Sequence, residues 1–171
     1  MKIYDVVIVG ASTTGCWFAY KMAEQGFSVL VLEKEKAENV SRCYDIFHMG
    51  KDEMIQSDLD IPSEDNPIYE FSFDGSPMKS PYGKYGVVMG DATVVGCHKH
   101  EYIMMMAERA EKAGAEILYG APFTDLIFDD RNRVIGAKYK TEDVECLEAG
   151  EHNVPIHDQG AFDQHSVGCQ N

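Results

Sequence analysis

The sequence predicts an α/β fold whose main sheet is parallel, and three features support that prediction. The apolar run Val6–Val9 is typical of a strand buried on both faces, and it ends at Gly10. A helical pattern follows, from about Thr13 to Gln25, with Gly26 as its stop. A second apolar run covers residues 27–32 and ends at Glu33. Strand, turn, helix and strand in this order constitute one βαβ unit.

The turn between the first strand and the helix has the spacing of a dinucleotide-binding motif. Gly10 allows the tight turn, and Gly15 lets the helix pack close to the sheet. The amides at this helix N-terminus carry a partial positive charge that suits a pyrophosphate. Ser12 replaces the middle glycine, so we expect phosphate binding to be weakened or rearranged by its Cβ and hydroxyl. The predicted phosphate contacts are Gly10, Ser12, Thr13, Thr14 and Gly15.

Glu33 lies roughly 20 residues beyond the first glycine, where such motifs place an acid. Its carboxylate would accept both hydroxyls of an adenosine ribose and would repel a 2′-phosphate, which favours FAD or NAD over NADP. The pattern therefore predicts a Rossmann-like FAD/NAD(P)-binding fold. A short-chain dehydrogenase turn would need glycines where Thr14 and Cys16 stand. The remaining alternative is a βαβ unit that only packs and binds nothing.

Length and charge exclude several classes of protein. The chain of 171 residues suffices for one domain with a core, and its formal net charge of −14 argues against nucleic acid or an anionic membrane as partner. Its five cysteines form no Cys-x-x-Cys pair, and the sequence shows no secretory signature. These features predict a reducing, cytoplasmic setting. No apolar run approaches the roughly 18 residues of a membrane span.

The middle of the chain predicts a β-layer inserted into the nucleotide-binding domain. We assign residues 1–140 to that domain, with the insertion at about 58–97. Aromatic residues alternate at positions 69–73 before Asp74-Gly75, which is a hairpin signal, and a second strand is predicted at 85–89. Gly90-Asp91-Ala92 is predicted to be a turn.

A second helix and a hairpin are predicted before a polar tail. Apolar residues recur at helical spacing over 102–113, and Gly114 caps that helix. A short buried strand at 117–119 and a hairpin of 123–128 with 134–139 follow. Residues 141–171 carry seven acids and no Lys or Arg, so we expect an acidic irregular tail. Its His and Cys spacings match no zinc pattern, and no metal site is predicted.

Several segments together resemble one group of flavoproteins, the FAD-dependent oxidoreductases of the geranylgeranyl reductase and electron-transfer-flavoprotein quinone oxidoreductase group. The resemblance covers about residues 3–140. The segments that carry it are Asp5-Val6-Val7-Ile8-Val9-Gly10, Gly15, Glu33-Lys34, Arg42, Lys99-His100-Glu101-Tyr102, residues 110–117 and Val134-Ile135-Gly136-Ala137.

The resemblance implies FAD as the cofactor, with its pyrophosphate on the glycine-rich turn and its ribose on Glu33. A basic residue at the start of the second helix assists in that group; here it is Lys99, where the group usually has arginine. Lys34 and Arg42 are further predicted cofactor contacts. Arg42 would be a phosphate partner at the carboxyl edge of the sheet, and the alternative is an ordinary surface arginine. Cys43 is an active-site candidate through the resemblance alone, because that segment lies near the flavin in the group. No catalytic residue is identified.

The group continues with another parallel strand, a Gly-Asp flavin motif and a substrate domain, which are not found after Lys140. The chain is therefore expected to be the N-terminal part of a flavin-dependent oxidoreductase. The resemblance implies an isoprenoid lipid or a quinone as substrate, together with a redox partner. Two alternatives stay open: a non-catalytic or degenerate nucleotide-binding module, and an NAD-dependent oxidoreductase.

Overall fold

The computed structural model describes residues 3–41, 46–79, 85–141 and 145–149 of the chain. They form two compact units, one of Met1–Val40 with Ile103–Asn171 and one of Ser41–Tyr102. The predicted domain of residues 1–140 with an insertion at 58–97 stays a prediction. The helices and strands, in chain order, are β1 (Val6–Val9), α1 (Thr13–Glu24), β2 (Val29–Glu33), β3 (Ile46–Gly50), α2 (Lys51–Gln56), β4 (Tyr69–Lys79), β5 (Tyr85–His98), α3 (Lys99–Ala113), β6 (Glu116–Tyr119), β7 (Phe123–Phe128), β8 (Val134–Lys140) and β9 (Glu145–Ala149).

In the described residues of the first unit, three strands form a parallel sheet in the order β1-β2-β6. Val6 lies opposite Val29, and Leu30 lies opposite Glu116. The predicted βαβ unit and the α/β fold class are confirmed. All five residues of β2 are buried, whereas β1 is only half-buried and Val9 is 41% exposed. The prediction that β1 is buried on both faces is wrong, because β1 lies at one end of this sheet among the described residues.

Helix α1 confirms the helical pattern predicted from about Thr13 to Gln25, and it buries one face. Its N-terminus follows Ser12, and the helix ends just before Gly26, which has the positive φ of +87° that favours glycine after a helix. The buried positions recur at intervals of three and four residues, as expected for one helical face. They are Gly15, Cys16, Ala19, Tyr20 and Ala23.

Helix α3 is also confirmed, and part of it contacts α1. Ile103, Met106 and Ala110 are fully buried. The guanidinium of Arg109 lies over the ring of Tyr20 at 4.0 Å and donates a hydrogen bond to its hydroxyl at 2.8 Å. This contact ties the two helices together. No helix in the described ranges combines the length and the apolar character needed to cross a bilayer.

A second sheet of the first unit, in the order β7-β8-β9, packs against the parallel sheet. The predicted hairpin of β7 and β8 is confirmed by their antiparallel pairing. Strand β9 extends this sheet from β8, so the expectation of an irregular tail from residue 141 is wrong at 145–149. Backbone hydrogen bonds to β8 stabilise this strand despite its weak apolar pattern. The shared core consists of Tyr4, Leu30, Leu32, Ala121, Ala137 and Tyr139.

The second unit is an antiparallel sheet in the order β3-β5-β4 with the short helix α2. Asp74-Gly75 lies inside β4, so it is not the predicted hairpin turn. The segment Gly90-Asp91-Ala92 likewise lies within β5 and is not a turn. Asp74 pairs with Thr93 and Ser76 with Val88, which leaves four residues of β5 opposite one of β4. Both turn signals therefore fall on a bulge, where irregular backbone is tolerated within a long hairpin.

Aromatic residues hold the second unit together. The ring of Phe47 stacks on Tyr102 at 4.5 Å, and the Tyr102 hydroxyl donates to the carbonyl of Asp60 at 2.9 Å. Gly96 lies under the ring of Phe71, where a Cβ would approach the ring carbon Cζ to 2.4 Å. Glycine is thus required at this position for the aromatic side chain to cover the strand.

Candidate nucleotide-binding site

The turn from β1 into α1 is built on two glycines with different roles. Gly10 has φ of +97°, a backbone conformation that residues with a Cβ rarely adopt. Its amide donates a hydrogen bond to the carbonyl of Leu32 at 2.8 Å. Gly15 has no such dihedral. A Cβ on Gly15 would lie 2.0 Å from the carbonyl oxygen of Gly10, so the first turn of the helix passes directly over the end of the strand.

Ser12 is the N-cap of α1. Its φ and ψ of −78° and 177° are extended values that any residue adopts, so the backbone here does not require a glycine. The Ser12 hydroxyl accepts a long hydrogen bond from the amide of Gly15 at 3.4 Å, and its carbonyl accepts from the amide of Cys16 at 2.8 Å. The amides of Ser12, Thr13 and Thr14 find no acceptor among the described residues. These three donors point away from the helical hydrogen-bond ladder and suit an anion.

Glu33 is directly joined to this turn. The side chain is buried, with 7% of its surface exposed. Its Oε2 accepts a hydrogen bond from the amide of Ala11 at 2.7 Å, and its Oε1 accepts one from the amide of Glu35 at 2.9 Å. Each carboxylate oxygen has room for a further hydrogen bond, since it carries two lone pairs. Two hydroxyls of one sugar match this remaining capacity.

Two neutral side chains lie close to this carboxylate. Burial raises the pKa of the Cys16 thiol to about 12, and the carboxylates of Glu33 and Glu111 add to the increase. Burial likewise raises the pKa of the Tyr119 hydroxyl to about 12. Both groups are therefore uncharged near neutral pH, and neither is a nucleophile there.

We predict that Cys16 resists alkylation in the folded protein. With a pKa of about 12 and no exposed surface, it should react with iodoacetamide at pH 8 at least roughly a hundredfold more slowly than in the urea-unfolded chain. Peptide mass spectrometry of the alkylated protein would measure the rate for each cysteine separately. Fast modification of Cys16 in the folded state would contradict the buried position.

Stability should fall when the pH rises above the pKa of an unfolded thiol. The raised folded pKa means that only the unfolded state loses the Cys16 proton between about pH 9 and 12. The stabilising contribution of the Cys16 thiol to the free energy of unfolding is thus complete below about pH 9 and is lost as the pH approaches 12.

The structure brings together some of the predicted contact residues. Residues 10–15 and Glu33 form one connected site, and Lys34 follows Glu33 with its side chain exposed. Lys99 is the first residue of α3 and belongs to the second unit, so its role stays a prediction. Arg42 and Cys43 lie outside the described residues. Sequence reasoning missed Ala11, whose fully buried small side chain next to Gly10 lets its amide reach the carboxylate.

The chain is similar in sequence to known reductases. A family described as NAD(P)-binding Rossmann-like domain matches residues 8–44, which include the turn, α1 and Glu33. Digeranylgeranylglycerophospholipid reductase 2 of Methanopyrus kandleri is 31% identical over 151 residues, which are 82% of this chain and 34% of that protein. Digeranylgeranylglycerophospholipid reductase of Methanosarcina acetivorans is 31% identical over 134 residues, or 75% of this chain and 31% of that protein.

The predicted resemblance to the geranylgeranyl reductase group is confirmed. A solved structure, a geranylgeranyl bacteriochlorophyll reductase-like protein of Thermoplasma acidophilum, has the same fold with a TM-score of 0.73 at 22% identity. The alignment covers 88% of this chain and 38% of that one. The chain thus spans about one third of the reductases it matches, and the Rossmann-like fold predicted for it is confirmed.

Proposed function

We propose that this chain is the FAD-binding portion of a flavin-dependent oxidoreductase and that it holds the ADP part of FAD at the turn from β1 to α1. One observation carries the proposal: the buried carboxylate of Glu33 is hydrogen-bonded to the amide of Ala11, beside the free donors of Ser12–Thr14. An acceptor for sugar hydroxyls and donors for phosphate oxygens therefore share one turn.

Each group in the turn has a distinct task in this proposal. The amides of residues 12–14 and the positive end of α1 bind the diphosphate. Glu33 accepts the ribose hydroxyls, and its bond to Ala11 fixes the carboxylate before the ligand arrives. Lys34, Arg42 and Lys99 are proposed as further cations near the phosphates. The flavin, when bound, supplies hydride or electron transfer, and the protein supplies binding and orientation.

The substrate class is proposed from the relatives. Two of them are named for the reduction of a digeranylgeranylglycerophospholipid, which supports an isoprenoid lipid as substrate more strongly than a quinone. Reduction of such a lipid also needs an electron donor, so we propose a separate redox partner. A reducing, cytoplasmic setting completes the proposal, and it agrees with the free thiols of the described Cys16 and Cys97.

A second candidate function is an NAD-dependent oxidoreductase, which the description of the matched family favours. Titration of the purified chain with FAD and with NAD separates the two. We expect a yellow complex with FAD and a Kd of about micromolar or weaker, because this chain offers contacts mainly to the ADP part. A colourless protein that binds NAD would support the second candidate. A protein that binds neither ligand would support a degenerate module.

We predict that the site discriminates against a 2′-phosphate. The carboxylate of Glu33 would face that phosphate at a buried position, where repulsion between like charges is poorly screened. ADP-ribose should therefore bind at least roughly tenfold more tightly than its 2′-phosphorylated form, a ratio that calorimetry at moderate salt measures. These two ligands differ in that phosphate alone. Equal affinity for the two ligands would mean that the ribose does not bind at the carboxylate of Glu33.

A further inference from the structure

The hydroxyl group of Ser12 has an unused hydrogen-bond donor at the turn from β1 to α1. The side chain is exposed, and its oxygen accepts one long hydrogen bond, from the amide of Gly15 at 3.4 Å. A serine hydroxyl also has a proton to donate. Among the described residues, no acceptor receives the proton of the Ser12 hydroxyl. This donor is therefore available to a ligand at the end of the helix.

The position of Ser12 at the start of α1 makes its hydroxyl a good donor. Ser12 is the N-cap, so its oxygen lies over the first turn of the helix. Because this oxygen accepts from a backbone amide, the O–H bond is polarised, and a hydrogen bond that it donates gains strength. Capping of the helix and donation to a ligand thus support each other.

Three backbone donors lie next to this hydroxyl. The amides of Ser12, Thr13 and Thr14 also lack an acceptor among the described residues. The first turn of α1 contains no acidic side chain, so no residue of that turn neutralises the positive end of the helix. A group with several anionic oxygens would accept from the hydroxyl and from the amides together. A diphosphate is such a group.

The backbone at Ser12 accommodates this side chain without strain. Its φ of −78° and ψ of 177° are extended values that any residue adopts, whereas Gly10, with φ of +97°, is at a position that favours glycine. Serine at the place of the middle glycine of the motif therefore adds a donor at no conformational cost. The turn exchanges an open approach to the backbone for a contact with a side chain.

We propose that the Ser12 hydroxyl is a direct ligand of the diphosphate and determines how tightly this turn holds that group. The hydroxyl donates to a phosphate oxygen while its own oxygen still caps α1. The inference rests on the proposed function for the identity of the ligand, a nucleoside diphosphate. It goes beyond that function because it assigns the diphosphate a side-chain ligand in addition to the backbone amides.

Calorimetric titration of three variants with ADP-ribose tests the inference. Ser12→Ala keeps the Cβ and removes the hydroxyl, so its Kd should rise at least roughly tenfold, because a hydrogen bond to an anionic oxygen is lost. Ser12→Thr retains a hydroxyl and the cap, so its Kd should stay within about threefold of the parental value. Ser28→Ala is the matched control, since it removes a serine hydroxyl that bonds Asp5 at the amino end of β2, away from the turn. Its Kd should stay within about twofold of the parental value.

Adenosine and inorganic pyrophosphate show whether the hydroxyl acts on the phosphates. The Kd of pyrophosphate should also rise at least roughly tenfold in Ser12→Ala. Adenosine has no phosphate, so the parent and Ser12→Ala should bind it equally. An equal loss of affinity for adenosine and ADP-ribose would mean that the variant only disturbs the turn, and it would overturn the inference. If circular dichroism shows that Ser12→Ala is unfolded, Ser12→Cys takes its place, because its thiol has a similar size and is a weak donor.

The outcomes distinguish this inference from the proposed function. Parental affinity of Ser12→Ala for ADP-ribose and for pyrophosphate would overturn the inference and leave the proposed function intact. If the parent binds pyrophosphate through Ser12 but does not bind ADP-ribose, the proposed function is wrong and the role of the hydroxyl is supported. A folded parent that binds neither ligand would refute both.

Discussion

Replacing Gly15 with alanine is expected to lower the free energy of unfolding by about 2–3 kcal/mol and to weaken ADP-ribose binding by roughly an order of magnitude. The added Cβ would lie 2.0 Å from the carbonyl oxygen of Gly10. Neither atom is the end of a flexible side chain, so the helix has to move away from the strand. The amides of Ser12–Thr14 move with it and lose their position relative to Glu33.

Urea unfolding followed by circular dichroism, with calorimetric titration of ADP-ribose, measures both effects of Gly15→Ala. Gly10→Ala is an informative companion, because a Cβ at Gly10 meets nothing within 4 Å and the cost comes from φ of +97° alone. We expect Gly10→Ala to lower the free energy of unfolding by about 1 kcal/mol. Thr14→Ala, at an exposed position, should change stability by less than about 0.5 kcal/mol. If Gly15→Ala had the same free energy of unfolding as the parent, the close contact between the helix and the strand would be contradicted.

The elements that sequence reasoning predicted well are those with an unbroken apolar run or a regular apolar period and a clear end. The βαβ unit, α3 and the β7-β8 hairpin each combine a continuous apolar run or a helical period of 3.6 residues with a glycine or a polar turn. Strand β3 and helix α2 were not predicted, since they have five and six residues and carry little periodic signal. Strand β9 escaped prediction because its pairing with β8, and not its composition, determines its structure.

Local turn signals were misleading where long-range pairing decides the structure. Asp74-Gly75 is a strong hairpin signal, but β4 continues beyond it to Lys79 because β5 supplies a partner along that length. A bulge accommodates the glycine without reversing the chain. Pairing of β5 with β4 likewise explains why Gly90-Asp91-Ala92 lies within β5 and does not form a turn. Sequence signals of this kind indicate where backbone is irregular, and the partner strand determines whether the chain reverses there.

The candidate site was predictable in its residues and not in its internal contacts. The spacing of Gly10, Gly15 and Glu33 predicts which residues meet, because the carboxyl ends of neighbouring parallel strands share one edge. The bond from Ala11 to Glu33 depends on the register of β1 against β2, which pairs Val9 with Leu32. That register follows from packing on both sides of β2, which no short motif encodes.

Removal of the Glu33 carboxylate should affect stability and binding together. In Glu33→Ala, the amides of Ala11 and Glu35 lose their acceptor, and Ala11 has no exposed surface through which water could replace it. We expect the free energy of unfolding to fall by about 2–3 kcal/mol. ADP-ribose affinity should fall roughly a hundredfold, since two hydrogen bonds to a charged acceptor are lost.

Glu33→Gln and Glu35→Gln separate the two effects. Glutamine at position 33 keeps one oxygen acceptor but presents its NH₂ group to the other amide. The free energy of unfolding and the ADP-ribose affinity of Glu33→Gln should therefore lie between those of the parent and those of Glu33→Ala. It also removes the negative charge, and the preference for ADP-ribose over its 2′-phosphorylated form should therefore shrink. Glu35→Gln is the matched control, because the exposed Glu35 contributes its backbone amide and that amide is retained. Calorimetry measures the ADP-ribose affinity of the three variants. A folded Glu33→Ala protein with parental affinity would show that the ribose does not bind at this carboxylate.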